Sequence, residues 1–150
     1  MAFLFALLLI LVKVELQLFI TKDSLMFSHI MLGANDIEAS KKFYDAILGT
    51  LGYEPGVIRG ERCIYMTPTG VFILTKPING EVATHGNGST FGFSISNPEL
   101  VQAWHEAGLA NGGTACEQPP GERNGEAGHL YLAYLRDPAG NKLCGTHRMG

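Results

Sequence analysis

At 150 residues the chain is long enough for one domain, or for two small modules that share a core. Hydrophobic residues make up 46% and charged residues 17%, which excludes a disordered chain. A net charge of −3, with no Lys/Arg cluster, argues against a nucleic-acid-binding surface.

The first 25 residues stand apart from the rest. "MAFLFALLLILV" is uniformly apolar, but a bilayer span needs about 20 such residues. Lys13 and Glu15 interrupt any longer apolar helix, and neither a basic start nor a small-residue cleavage site is present. Residues 1–25 are therefore expected to be a hydrophobic extension outside the core fold, with Met26 a second candidate start. A membrane-associating anchor is the alternative. A strand or dimer arm is the third, because Val12, Val14, Leu16 and Leu18 alternate.

From Met26 the pattern becomes regular. Phe27 to Gly33 reads as a strand. Asn35 or Asp36 then caps a helix on which Ile37, Tyr44, Ile47, Leu48 and Leu51 share a face, and Gly52 closes it. Strands follow at Tyr53–Ile58, Arg62–Met66 and Val71–Lys76, with a turn at "TPTG". Pro77 to Ser89 is rich in turn residues and reads as a linker. Then the order repeats. Thr90 to Ser96 alternates as a strand. Asn97 caps a helix with Pro98 in its first turn, and Leu100 or Val101, Trp104 and Leu109 form its apolar face. "ACEQPPGERNGEAG" reads as a loop or lid. "HLYLAYLRDPAGNKLCGTH" reads as a hairpin turning at Asp137–Gly140.

The chain therefore divides into the extension (1–25), a first βαβββ module (26–80), a linker (81–89) and a second module (90–150). The expected class is α+β: two modules whose curved mixed sheets leave a ligand cavity between their open faces. A four-residue "DPAG" turn would pair Arg136 with Asn141. That register places His129, Tyr131, Ala133, Lys142, Cys144 and Thr146 on one face. Strand alternation places Phe27, His29 and Met31 in the cavity, with Thr90, Gly92 and Ser94 opposite.

The stretches "HIMLGANDIEASKKFYDAILGTLGY" and "YLAYLRDPAGNKLC" resemble the vicinal oxygen chelate superfamily, which includes glyoxalase I, bleomycin-resistance proteins and extradiol dioxygenases. The resemblance covers Met26 to His147. It implies a divalent metal (Zn, Ni, Mn or Fe) held by four strands, two from each module. The matching positions are His29, Ile73, Thr90 and Cys144. Of these only His29 and Cys144 can ligate, and a catalytic zinc site keeps three protein ligands. An extradiol dioxygenase would need two His and one carboxylate around iron. The matching positions do not supply them.

The candidate site residues are then His29 and Tyr131 as an acid–base pair. Phe27, Met31, Ile73, Thr90, Ser94, His129 and Thr146 would bind substrate, and His29 and Cys144 are the metal candidates. Each has a structural alternative: His29 could be a hydrogen-bonded strand histidine, and Cys144 a small buried hydrophobe. His85 is expected near the cavity mouth, His105 on an outer helix face and His147 in solvent.

Two functions stay open. One is a glyoxalase-like lyase, isomerase or transferase acting on a small carbonyl- or thiol-conjugated metabolite. For that, the resemblance adds glutathione dependence. The other is a metal-free small-molecule binding protein of the resistance type. The resemblance also implies a homodimer. Three cysteines without C-x-x-C spacing suit a reducing, cytoplasmic setting. No membrane partner is expected except through residues 1–25.

Overall fold

The computed structural model describes residues 26–150. The extension over residues 1–25, with its three alternatives, lies outside the described residues. Two mixed sheets and two helices make up the fold. The first module runs β1 (His29–Gly33), α1 (Ile37–Gly49), β2 (Val57–Arg59), β3 (Arg62–Thr67) and β4 (Gly70–Thr75). The second runs β5 (Phe91–Ser94), α2 (Pro98–Ala110), β6 (Thr114–Ala115), β7 (Gly121–Gly125), β8 (Gly128–Arg136) and β9 (Lys142–Arg148). This is the expected α+β architecture.

The sheet orders are β1-β4-β3-β2 and β5-β9-β8-β6, with β7 also paired to β8. In each module the first strand lies parallel to the last and forms an edge. Each helix starts where a side chain accepts an orphan backbone N–H. Asp36 accepts from Ala39 N at 2.9 Å, and Asn97 from Leu100 N at 2.8 Å. Helix α1 packs on β3 and β4, α2 packs on β8 and β9, and the helices touch one another. Both modules thus cover one sheet face with helix and leave the other open.

Aromatic rings tie the two cores together. Tyr44 meets Phe72 at 4.8 Å between centroids, Phe72 meets Phe93 at 6.2 Å, and Phe93 meets Trp104 at 6.0 Å. These spacings suit tilted and edge-to-face packing. A polar bridge runs beside them. The buried Asp137 carboxylate accepts from Tyr44 Oη and Asn141 Nδ2 at 2.8 Å, and from Ala139 N and Asn141 N at 2.9 Å. Asn141 Nδ2 also donates to Gly33 O at 3.0 Å. Burial first, and Asp137 second, hold the Tyr44 hydroxyl well above its ordinary range, so it stays a proton donor.

That bridge explains the one misplaced register. Arg136 pairs with Lys142, not Asn141. The Asp137 amide takes Asn141 O at 3.0 Å, and Gly140 turns at φ 92°, so the turn consumes five residues instead of four. Every residue of β8 is shifted by one against β9, and Tyr134, not Ala133, lies opposite Cys144. The second helix also differs from expectation. His105 is buried and Leu109 is 42% exposed, because Gly108 faces the core, where a Cβ would sit 2.4 Å from Leu135. The segment read as a loop contains the last residue of β6 and all of β7, which zips against β8 from Gly121–Leu132 to Gly125–Gly128.

Tyr44→Phe deletes one hydrogen bond to a buried carboxylate and little else. It should cost about 2 kcal/mol in urea unfolding at neutral pH. A loss below about 0.5 kcal/mol, the range of ordinary surface substitutions, would show that the hydroxyl adds nothing across the module boundary.

Candidate functional site

The two edge strands, β1 and β5, wall a cleft of ≈ 320 Å³. Its floor is apolar: Ile30, Leu48, Phe72, Phe91 and Phe93. His29, Thr67, Thr69 and Ser94 bring polar groups to its walls, and Tyr53 closes one side. Apolar walls with a few placed polar groups are the usual make-up of a small-molecule site. The backbone leaves room at Gly92, where a Cβ would have no neighbour within 4 Å.

Of the candidate residues, Phe27, His29 and Ser94 line this cleft. His29 is exposed, and its Nδ1 is hydrogen-bonded to Ser28 Oγ at 2.9 Å. Met31 and Ile73 pair with each other on the open face of the first sheet, outside the cleft lining. Thr90 precedes β5 and is exposed. Cys144 and Thr146 pair with Gly92 and Ser94, so they extend the cleft wall across the open face of the second sheet. Their side chains meet, with Sγ and Oγ1 3.3 Å apart.

Tyr131 and His129 go the other way. The one-residue shift turns both to the face that carries Leu135 and Ala133 under α2. Tyr131 packs against the core, and His129 pairs with Glu122 at 2.9 Å. The expected His29–Tyr131 acid–base pair is therefore not assembled. His147, expected in solvent, is half-buried, with Nδ1 3.0 Å from Ile95 O. His85 lies against the Asp137 turn: a Cβ on Gly140 would sit 2.7 Å from its ring.

Two contributors, Tyr134 and Glu117, were missed in the sequence; Lys142 was placed on this face as it is found, and Arg123 was read as a solvated charge in the loop. Tyr134 takes the place assigned to Ala133, beside Cys144. Lys142 reaches across it, with Nζ 5.1 Å from the Tyr134 ring centroid, to an ion pair with Glu117. Arg123 lies on the same face from β7 and donates to Pro119 O at 2.7 Å. A five-residue turn, foreseen from "DPAGN", would have recovered Tyr134. Nothing in the spacing announces Glu117.

The donor set does not fit the metal that the resemblance implies. At the four matching positions Ile73 has no donor atom and Thr90 is a weak one, leaving His29 and Cys144. Among the described residues, no three His, Cys, Asp or Glu side chains gather closely enough to hold a metal ion. Cys144 is also a poor thiolate. Burial, the largest influence, pushes its thiol up, while hydrogen bonds from Thr146 and Tyr134 pull the other way.

Comparison with known proteins agrees with this architecture. The model of the glyoxalase/bleomycin resistance protein/dioxygenase superfamily matches residues 26–144. A crystal structure of a glyoxalase/bleomycin resistance protein from Albidiferax ferrireducens T118 is 63% identical, with a TM-score of 0.80 over 82% of this chain and 99% of that one. A glyoxalase-related enzyme from Fulvimarina pelagi shares the fold at 20% identity and TM-score 0.65, covering 82% and 88%. A lactoylglutathione lyase from Agrobacterium tumefaciens does so at 21% and 0.57, covering 81% and 92%. No curated protein matches the chain.

The cysteine environment yields a test. Cys144 is buried and its thiol is pushed up, whereas Cys116 is half-buried. In the folded protein, iodoacetamide should modify Cys144 more slowly than Cys116 at pH 7.5, as peptide mass spectrometry would show. The Cys144 rate should climb roughly tenfold per pH unit as thiolate forms. Rapid, pH-independent labelling of Cys144 would contradict the assigned environment.

Proposed function

The chain belongs to the glyoxalase/bleomycin resistance protein/dioxygenase superfamily, and we propose that it holds a small, partly apolar organic molecule between its two modules without the superfamily's metal centre. The observation that carries this reading is the cleft itself. It is a ≈ 320 Å³ space, apolar at the floor, with one imidazole on its wall. The donor set, with Ile73 at a ligand position, favours binding that does not run through a metal.

A second reading is supported by the Ser28–His29 hydrogen bond. A bond at Nδ1 fixes the ring, and the other nitrogen can then give or take a proton from a bound carbonyl or thiol conjugate. That would make the protein a glyoxalase-like lyase, isomerase or transferase in which His29 acts alone. The first reading requires binding without turnover, and the second requires turnover that depends on His29.

The test is a binding series on the full chain. Small aromatic and carbonyl fragments are titrated and followed by amide shifts in two-dimensional nitrogen–proton NMR. Bound fragments should move signals of His29, Gly92 and Ser94. Gly92→Leu fills open space, so it should fold with a Tm within a few degrees of the parent and abolish those shifts. His29→Ala should keep apolar binding and, under the second reading, lose turnover of a hemithioacetal by roughly 10²-fold or more. Fragments that bind Gly92→Leu as well as the parent would overturn the cleft assignment.

A further inference from the structure

The open faces of the sheets carry a charge pattern that runs against the composition. The chain is acidic, with a net charge of −3. Yet every Arg and Lys in a described strand points to an open face. Arg59 and Arg62 pair on the first sheet; Arg123, Arg136, Lys142 and Arg148 share the face of Tyr134 and Cys144 on the second. The single acidic residue in a described strand, Glu122, points to the other face. The three arginines of the second sheet donate to backbone carbonyls of Pro119, Gly140 and Ala127, which leaves their charge uncancelled. Among the described residues, Lys142 alone of these six cations has an ion-pair partner.

That partner is Glu117, and its position is unusual. It sits in the turn between β6 and β7 with φ 57°, a left-handed conformation that a side chain other than Gly, Asn or Asp rarely adopts. There its carboxylate meets the Lys142 ammonium, which reaches from β9 over the Tyr134 ring. Cys144 and Thr146, opposite Gly92 and Ser94, stand one strand spacing (~4.8 Å) from the cleft wall, and Tyr134 stands two (~10 Å). A molecule with one end in the cleft and a length of about 10 Å therefore reaches the strand of Tyr134, over which Lys142 lies.

We infer that the open face of the second sheet is an anion subsite: Lys142, on the same face as Arg123, binds the carboxylate end of a small organic acid whose apolar part occupies the cleft, and Glu117 fills that place in the free chain. The inference rests on the cleft reading and adds a substrate class to it. Binding exchanges one carboxylate for another on the same ammonium group. The Cys116–Pro120 turn is released in the same step. Tyr134, whose hydroxyl is pushed up to about 12 first by burial, keeps its proton at neutral pH and can donate to the arriving oxygen.

The probes are 4-phenylbutyrate and its uncharged counterpart 4-phenylbutan-1-ol, titrated by calorimetry into the full-length parent, Lys142→Met, Glu117→Gln and Gly92→Leu. The acid should bind the parent about tenfold or more tighter than the alcohol, and high salt should narrow the gap. Lys142→Met should erase that preference while leaving the alcohol unchanged. Glu117→Gln, which removes the internal competitor, should tighten acid binding roughly three- to tenfold and leave the alcohol alone. Equal binding of acid and alcohol, or a preference that survives Lys142→Met, overturns the subsite while the cleft reading stands. Failure of both probes to bind, or binding unaffected by Gly92→Leu, overturns the cleft reading and this inference together.

Discussion

The Asp137 carboxylate is the constraint on which the rest of the structure depends. It accepts four hydrogen bonds, two from the backbone of its own turn, one from Asn141 and one from Tyr44 in the other module. A buried carboxylate short of partners would cost several kcal/mol, so the turn, the helix and the strand end must meet at one point. Asn141 completes the bridge by donating to Gly33 at the end of β1. The position of one module against the other, and hence the width of the cleft between β1 and β5, is fixed at the end opposite His29. The aromatic run from Tyr44 to Trp104 then fills the space between the modules with non-directional packing, which alone would tolerate sliding.

The elements were legible because each has a local physical cause. Asp36 and Asn97 cap their helices as read, and the 3.6-residue pattern in "IEASKKFYDAIL" is the pattern that packs on β3 and β4. What failed was non-local or depended on one atom count. The His129–Tyr131 face went wrong because a single residue in the Asp137 turn flips every side chain of β8. His105 was placed outside because a glycine, Gly108, takes the inward position that the larger Leu109 seemed to claim. The strand Gly121–Gly125 was read as a loop because "GERNG" has no apolar alternation. Its pairing is supplied by β8 rather than by its own side chains.

The candidate site was legible only in part, for the same reason. His29 and Ser94 were found because they sit on short strands whose alternation is fixed by the helix packed beneath. Glu117 was not, since its role arises from a left-handed turn where Lys142 reaches it from two strands away, and no periodicity encodes that. The described part of the chain thus keeps one imidazole where the resemblance called for four ligands, and gains a cation–carboxylate pair where it called for none.

These two departures are physically connected. A metal centre needs imidazole, thiolate or carboxylate donors facing the open side of the sheets, and anionic oxygen is the donor that a hard cation prefers. At the last strand of each module this chain places Ile73 and Cys144, a hydrocarbon and a protonated thiol. The described strands offer no carboxylate on the open faces at all. The same faces hold six cationic side chains, so the field there repels a metal ion and attracts an organic anion. The middle of the first open face is apolar, with Met31, Ile73 and Ile64 in register and Val71 beside them, and its two arginines stand at the β2–β3 edge, while the second carries Tyr134, Cys144, Thr146 and Lys142. An asymmetric pair of walls orients an asymmetric guest: apolar end toward the first module, charged end toward the second. With His29 on the first wall and Lys142 on the second, the charge of the bound molecule sets which of its atoms lies within reach of the imidazole.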